Sequence, residues 1–420
     1  MPRGSRRPGG RGRIGPFPVW VVVTVALALV AAGVVVAFAG VKKDEGATAS
    51  DGQTPPGNAG VGSAGASGPA ASGPADCATS LVAKMSLEQQ AGQLLMIGTP
   101  IGSALNATQT IQRYKLGGIF LAGRSSASAA SMRQAIGQLQ DASRQASGLA
   151  LQIGIDQEGG QVQTLKGTDF PAIPTAVSQG KLDDATLKAR TAEWAGRLKD
   201  IGVTIDLAPV ADVVPADVGK ANPPIGGFER QYGSTPDPVA ADVATLVTAI
   251  QGVGVLTTLK HFPGLGRVRV NTDTSTGARD DITTANDPSL KPFASGIAAG
   301  SAAVMISSAT YPKLDPNNVA AFSSAIVTDL LRGKLGFGGL VLSDDLGAAE
   351  AVGSVPVGQR AVRFVKAGGD VVLSVRLQDA GPMSDALVAA AKGDPAFAAR
   401  VTQSTTRVVQ SKIRAGLTHC

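Results

Sequence analysis

Metal-binding side chains are scarce in this chain. Its 420 residues include two cysteines, Cys77 and Cys420, and two histidines, His261 and His419. That leaves too few thiolate or imidazole ligands for a zinc site, and no metal is expected. No Gly-rich dinucleotide fingerprint follows the first strand and no P-loop is present, so nothing marks a nucleotide cofactor and none is expected. A basic groove is missing too, although the net charge is +6. Residues 1–43 hold seven of the 38 Lys and Arg side chains and none of the 32 Asp and Glu side chains. The remainder is close to neutral, which excludes a phosphate-binding face and a nucleic-acid partner.

The basic start has a topological meaning. Arg3, Arg6, Arg7, Arg11 and Arg13 precede an uncharged run from Val19 to Val41, 23 residues long, which Lys42 and Lys43 close. About 20 apolar residues span a bilayer, and a basic flank before the span stays in the cytoplasm. Residues 1–18 are therefore expected to be a cytoplasmic segment and 19–41 a single-pass membrane anchor, with the rest extracellular. Ala37-Phe38-Ala39 also resembles a cleavage site, and the alternative is a secreted protein after signal removal. The run is long for a signal peptide, which favours a retained anchor. Residues 42–76 are mostly Gly, Ala, Ser, Pro and small polar residues, which cannot bury enough apolar surface to offset chain entropy. They are expected to form a flexible tether reaching on the order of 30 Å.

Residues 77–420 are expected to form one folded domain bracketed by the two cysteines. Short continuous apolar runs recur at Leu94–Gly98, Gly118–Leu121, Leu151–Asp156, Val203–Ala208, Val255–His261, Ala303–Ser307, Leu340–Asp344 and Asp370–Leu373. Continuous runs, rather than alternating ones, belong to parallel strands covered on both faces. Helical stretches lie between them, such as Asp183–Ile201 with Leu187, Trp194, Leu198 and Ile201 on one face and Gly202 as a stop. Eight strands alternating with helices indicate the α/β class and a (β/α)8 TIM-type barrel, with an open doubly wound sheet as the alternative. A barrel brings its first and last elements together. Export would place Cys77 and Cys420 in an oxidising setting, so a disulfide between them is expected, against two unpaired thiols.

Chemistry in such barrels collects at the C-terminal strand ends. The third strand ends in Asp156-Gln157-Glu158-Gly159-Gly160, an acidic pair with glycines that allow close approach of a polar ligand. The fifth ends in Lys260-His261-Phe262-Pro263-Gly264. Adjacent strand residues point to opposite faces, so Lys260 and His261 share a pocket only if the chain bends there. The seventh ends in Ser343-Asp344-Asp345-Leu346, where alternation would turn one acid inward.

These three motifs, in this order, resemble glycoside hydrolase family 3. Leu207-Ala208-Pro209-Val210-Ala211-Asp212-Val213 resembles the family's segment after strand four, and Ile225 to Gly233, which contains Arg230, resembles its sugar-binding loop. The resemblance covers about residues 80–415 and is nearest to the single-domain β-N-acetylglucosaminidase branch, in an exported actinobacterial form. It implies Asp344 as the nucleophile of a retaining reaction through a covalent glycosyl-enzyme. It implies Asp156, Arg230, Lys260 and His261 as substrate-binding residues.

The chain departs from the branch at the acid/base. An Asp-x-His pair on the loop after strand five becomes Asn271-Thr272-Asp273. Asp273 stands where the histidine would be and is the candidate acid/base, with Asp280 and Asp281 as alternatives. Two arginines of Gly-Gly-Arg-Val-x-Arg become Gln161 and Thr164, and Pro-Gly-His-Gly becomes Pro263-Gly264-Leu265-Gly266. An ionised Asp273 would repel phosphate, so hydrolysis is expected rather than phosphorolysis. The reading is a monomeric exo-β-N-acetylglucosaminidase acting on cell-wall glycans or muropeptides. The alternatives are another exo-β-glycosidase, or a degenerate barrel that binds glycan without cleaving it.

Overall fold

The computed structural model describes residues 74–419. The basic segment 1–18, the span 19–41, the tether up to residue 73 and Cys420 lie outside the described residues. Among the described residues no helix is long and apolar enough to cross a membrane. The tether expected to run to residue 76 gives way to helix at Pro74. Proline suits the first turn of a helix, where its missing N–H has no intrahelical partner.

Eight parallel strands form the barrel: β1 (Leu95–Pro100), β2 (Gly118–Ala122), β3 (Gln152–Ile155), β4 (Ile205–Asp206), β5 (Leu256–Phe262), β6 (Ala303–Ile306), β7 (Leu340–Ser343) and β8 (Val372–Ser374). Their order is β7-β6-β5-β4-β3-β2-β1-β8. The two ends meet where Leu342 pairs with Val371 and Ser343 N donates to Val371 O at 3.0 Å. Strands β3 to β8 are buried along their whole length, which is why they read as continuous apolar runs. All eight expected runs become strands, shifted at their ends by one or two residues, and the open-sheet alternative is excluded.

The helices α1 (Pro74–Val82), α2 (Leu87–Gln93), α3 (Thr108–Tyr114), α4 (Ala129–Ser147), α5 (Asp184–Asp200), α6 (Pro236–Gly252), α7 (Lys291–Ala298), α8 (Val357–Ala367), α9 (Ala380–Gly393) and α10 (Pro395–Arg414) are joined by a π-helical segment, Ala325–Lys334. Helix α5 shows how the sequence sets the boundaries. Asp183 caps it by accepting from Thr186 N at 2.9 Å, and Gly202, at φ +91°, turns the chain away after it. Its buried face is Leu187, Thr191, Ala195 and Leu198; Trp194, expected on that face, is only half-buried.

Helices α1 and α10 pack together at the N-terminal ends of the strands. Ala78 and Val82 meet Val409 and Leu149, and Leu149 lies in the turn that leads into β3. This end is the floor of the barrel. The opposite end, where the strands finish, is its mouth.

Candidate active site

A cavity of about 480 Å³ opens at the mouth. That is within the roughly 300–1,000 Å³ range of sites that bury a compact organic ligand. Asp156, Arg230, Lys260, His261, Asp273 and Asp344 all line it. The structure thus brings together every catalytic and substrate-binding residue expected from the sequence, from five different loops and strand ends.

After β3 the chain makes a tight hairpin, Gln157–Gly159 against Val162–Gln163. Its turn needs glycine: Gly159 has φ +107°, and a Cβ there would stand 2.4 Å from Pro174 O. Gln157 fixes the hairpin, with Oε1 accepting from Leu165 N and Nε2 donating to Leu165 O, both at 3.0 Å. Glu158 is thereby turned inward and becomes the hub of an ion-pair cluster. Arg230 grips it with two bonds, Nε to Oε2 at 2.8 Å and Nη2 to Oε1 at 2.7 Å. Lys260 Nζ lies 2.6 Å from Glu158 Oε1 and donates to Asp156 Oδ1, also at 2.6 Å.

These charges settle one another. Burial alone would raise the Glu158 carboxyl, but Arg230 and then Lys260 hold it down at about 2. Burial works against the charged form of Lys260, and Asp156 and Glu158 overcome it, raising its pKa. Asp206, on β4 behind the hairpin, accepts from Gln157 N at 3.1 Å, and burial pushes its carboxyl up to about 7 against the pull of Lys260. The Glu158→Gln variant leaves buried Lys260 and half-buried Arg230 short of a partner. It is expected to cost about 3 kcal/mol of stability, read as a lower urea midpoint; an unchanged midpoint would show that the hub carries no such weight.

On β5 the bend required by the sequence is present: the Lys260–His261 peptide is cis, as is Phe262–Pro263. Both side chains line the cavity. Asp212, from the segment after β4, positions the imidazole. Its Oδ2 lies 2.8 Å from His261 Nδ1, and its Oδ1 accepts from His261 N at 3.2 Å and Leu265 N at 2.8 Å. Arg230 Nη2 lies 3.3 Å from His261 Nε2. A guanidinium only donates, so Nε2 is the acceptor and Nδ1 carries the proton to Asp212.

On the other side of the cavity stand the acids. Asp344 and Asp345 both reach it, which strand alternation did not foresee, because β7 ends at Ser343 and the rule stops with it. Their environments separate them. Asp345 accepts from Gly347 N and Ala348 N at 2.8 Å and Val375 N at 2.9 Å, so its carboxylate is committed to holding the loop. Asp344 Oδ1 accepts only from Asp345 N at 2.9 Å, leaving Asp344 available to a ligand.

Asp273 stands on the exposed loop after β5, with its carboxyl facing the cavity. Reduced hydration first, and the negative charge of Asp344 second, push it up to about 6. The loop is fastened at this point by the segment after β7: Glu350 N donates to Asp273 O at 3.2 Å and Ala351 N to Thr272 O at 3.1 Å. The alternatives Asp280 and Asp281 fall outside the cavity. Asp280 is buried and caps its own turn, accepting from Ile282 N and Thr283 N at 2.8 and 3.0 Å. Asp281 pairs with Arg279 on the surface at 2.6 Å.

Glu158, Asp206 and Asp212 escaped the sequence reading as individual residues. Glu158 was visible as half of an acidic pair, but its partners lie 72 and 102 positions away in the chain. Arg124, which also lines the cavity, gave no motif signal, and Phe228 was visible only as a member of the Ile225–Gly233 loop.

Comparison with known proteins agrees with this geometry. Residues 86–411 match the glycosyl hydrolase family 3 N-terminal domain. A β-hexosaminidase of Stenotrophomonas maltophilia (strain R551-3) is 36% identical over 295 residues, covering 67% of this chain and 82% of its own. The crystal structure of a β-N-acetylhexosaminidase from Beutenbergia cavernae DSM 12333 superimposes with a TM-score of 0.77 at 46% identity, covering 79% of this chain and 99% of that one. A family 3 β-N-acetylglucosaminidase from Paenibacillus sp. FPU-7 gives a TM-score of 0.73 at 30% identity, over 79% of this chain and 63% of that one. With the barrel, the strand-end motifs and the matched residues in agreement, the chain belongs to glycosyl hydrolase family 3.

Proposed function

We propose that this barrel is an exported, retaining exo-β-N-acetylglucosaminidase that removes terminal sugars from cell-wall glycans. The coarser assignment, a family 3 glycoside hydrolase of the β-N-acetylhexosaminidase type, rests on the family membership and on the relatives named above. The observation that carries the finer reading is the division of one cavity into a charge-balanced side, Asp156, Glu158, Arg230 and Lys260, and an acidic side, Asp344 and Asp273.

The first side suits hydroxyl groups, since paired ions offer fixed donors and acceptors without net charge. On the second, Asp344 attacks the anomeric carbon while Asp273, protonated, gives its proton to the departing oxygen. In the second half-reaction Asp273, now ionised, takes a proton from water, which releases the sugar from Asp344 with retained configuration. Cell-wall glycan as substrate, and the extracellular location it requires, are supported by the basic flank and apolar run at residues 1–41. A Cys77–Cys420 disulfide would accompany that location; its supporting observation is the packing of α1 on α10.

A second reading, another exo-β-glycosidase, is favoured by the residues replacing the family's two arginines. Thr164 is buried behind the hairpin and Gln161 is exposed, so neither offers a cation to the sugar. The test is release of p-nitrophenol from the β-N-acetylglucosaminide and not from the β-glucoside. Activity confined to the glucoside selects the second reading, and binding without turnover of either selects a glycan-binding barrel. Added inorganic phosphate is expected to leave the rate unchanged; acceleration would show that phosphate serves as the attacking group.

A further inference from the structure

A second, smaller cavity lies behind the hairpin that follows β3, among Gln157, Glu158, Thr191, Asp206 and Tyr232. It shares no lining residue with the cavity at the mouth. Its volume is about 30 Å³, room for a single water molecule. Two polar side chains in its wall have hydrogen-bonding capacity to spare. Thr191 is 3% exposed, and its Oγ1 has no partner among the described residues. Asp206 is 4% exposed and accepts a single hydrogen bond among them, from Gln157 N to Oδ1 at 3.1 Å. The neighbouring amides are committed elsewhere: Gln157 holds Leu165, and Gln179 Nε2 donates to Glu158 O at 2.9 Å and Pro174 O at 2.8 Å.

Asp206 also stands outside the charge balance of the ion-pair cluster. Asp156 and Glu158 are already matched by Arg230 and Lys260, two charges against two. A buried carboxyl with one hydrogen bond and no cation of its own favours its neutral form. Burial is the main force raising the Asp206 carboxyl to about 7; Lys260 opposes it, and Asp156 and Glu158 add to it. Besides Glu158, the titratable group on the cavity wall is Tyr232, whose hydroxyl burial keeps protonated. Helices α5 and α6 contribute no ionisable side chain to the wall. A neutral carboxyl is a donor as well as an acceptor, and its O–H needs a partner that a water beside Thr191 supplies.

We propose that Asp206 is a positioning residue: its proton, bonded to a water held by Thr191, leaves Lys260 committed to Asp156 and Glu158 and so keeps the sugar-binding side formed. Once that proton passes to solvent, a third anion competes for Lys260. Asp156, whose side chain is 28% exposed against 4% for Glu158, is the partner released. Sugar affinity then falls while the proton donor of the reaction is untouched. The proposal rests on the reading of this side as the sugar site.

The test is the affinity for N-acetylglucosamine, measured by titration calorimetry from about pH 5 to about pH 9 on the full chain carrying Asp273→Asn, so that the acid/base does not titrate. Affinity is expected to fall about tenfold as pH rises through the Asp206 transition, the equivalent of a one-unit difference in its carboxyl between free and bound protein. Adding Asp206→Asn, which keeps an acceptor for Gln157 N and has no proton to lose, is expected to remove that fall. A flat profile with Asp206 in place, or a fall that persists in Asp206→Asn, would overturn the proposal. Two readouts need no change at Asp206. Crystallography should find one water bonded to Asp206 and to Thr191 Oγ1, and the Lys260 Nζ resonance should move through the same pH range. An empty cavity or an unmoving resonance would overturn the proposal. If N-acetylglucosamine binds at no pH, the sugar-site reading fails, and the same two readouts decide on their own whether Asp206 governs Lys260.

Discussion

Replacing Asp344 with Asn is expected to lower kcat/KM for p-nitrophenyl β-N-acetylglucosaminide by on the order of 10⁴- to 10⁶-fold, the scale of losing a covalent nucleophile. The expectation follows from how the two adjacent acids are held. Three main-chain N–H groups occupy Asp345, whereas Asp344 accepts one and faces the cavity. Asn keeps the Oδ1 acceptor, so the loop and the urea midpoint should not change, and N-acetylglucosamine should still bind. The matching observation is covalent. A 5-fluoro N-acetylglucosaminyl fluoride forms the glycosyl-enzyme faster than water releases it, and peptide mass spectrometry should find the label on Asp344. A label on Asp345 or Asp273 would reassign the nucleophile. Release of the α-anomer as first product would remove covalent catalysis altogether.

The second large effect concerns Asp273. In the proposed role of general acid it must be protonated when the glycosidic bond breaks. Its pKa is raised to about 6, so turnover should be full below that pH and fall as pH rises through it. Asp273→Asn removes the proton donor and should cost about 10²- to 10⁴-fold on substrates with poor leaving groups. The loss should be far smaller for 2,4-dinitrophenyl glycosides, which leave without protonation, and the limb near pH 6 should vanish. Because Asp344 is the second cause of the raised pKa, Asp344→Asn should shift the carboxyl resonance of Asp273 to titrate lower. An intact alkaline limb in Asp273→Asn would assign the proton to another group.

The barrel was legible because its strands are covered on both faces. That burial produces continuous apolar runs, and each run became a strand within one or two residues of its expected ends. The acids at strand ends were legible for the same reason, since a charge that closes an apolar run sits at the mouth or the floor. What the sequence withheld is tertiary. Glu158 reads as one of two acids beside glycines; its role as hub appears only when Arg230 and Lys260 converge on it. The pairing of His261 with Asp212 needs two neighbouring strands in register. Alternation misjudged Asp344 and Asp345 because the strand ends one residue earlier. The acid/base position was reachable only as a departure from a related pattern, and nothing local separates Asp273 from Asp280. The second turns out to be a buried turn cap.

The pairing of α1 with α10 has a consequence for how this protein can be handled and held. The chain enters the folded domain at the pole opposite the cavity, and its last helix finishes there as well. Among the described residues, every loop at the working pole is an internal connection between barrel elements. A support, a fusion partner or a neighbouring surface attached ahead of Pro74 therefore joins the domain at its back. Such an attachment point is separate from the loops that line the opening.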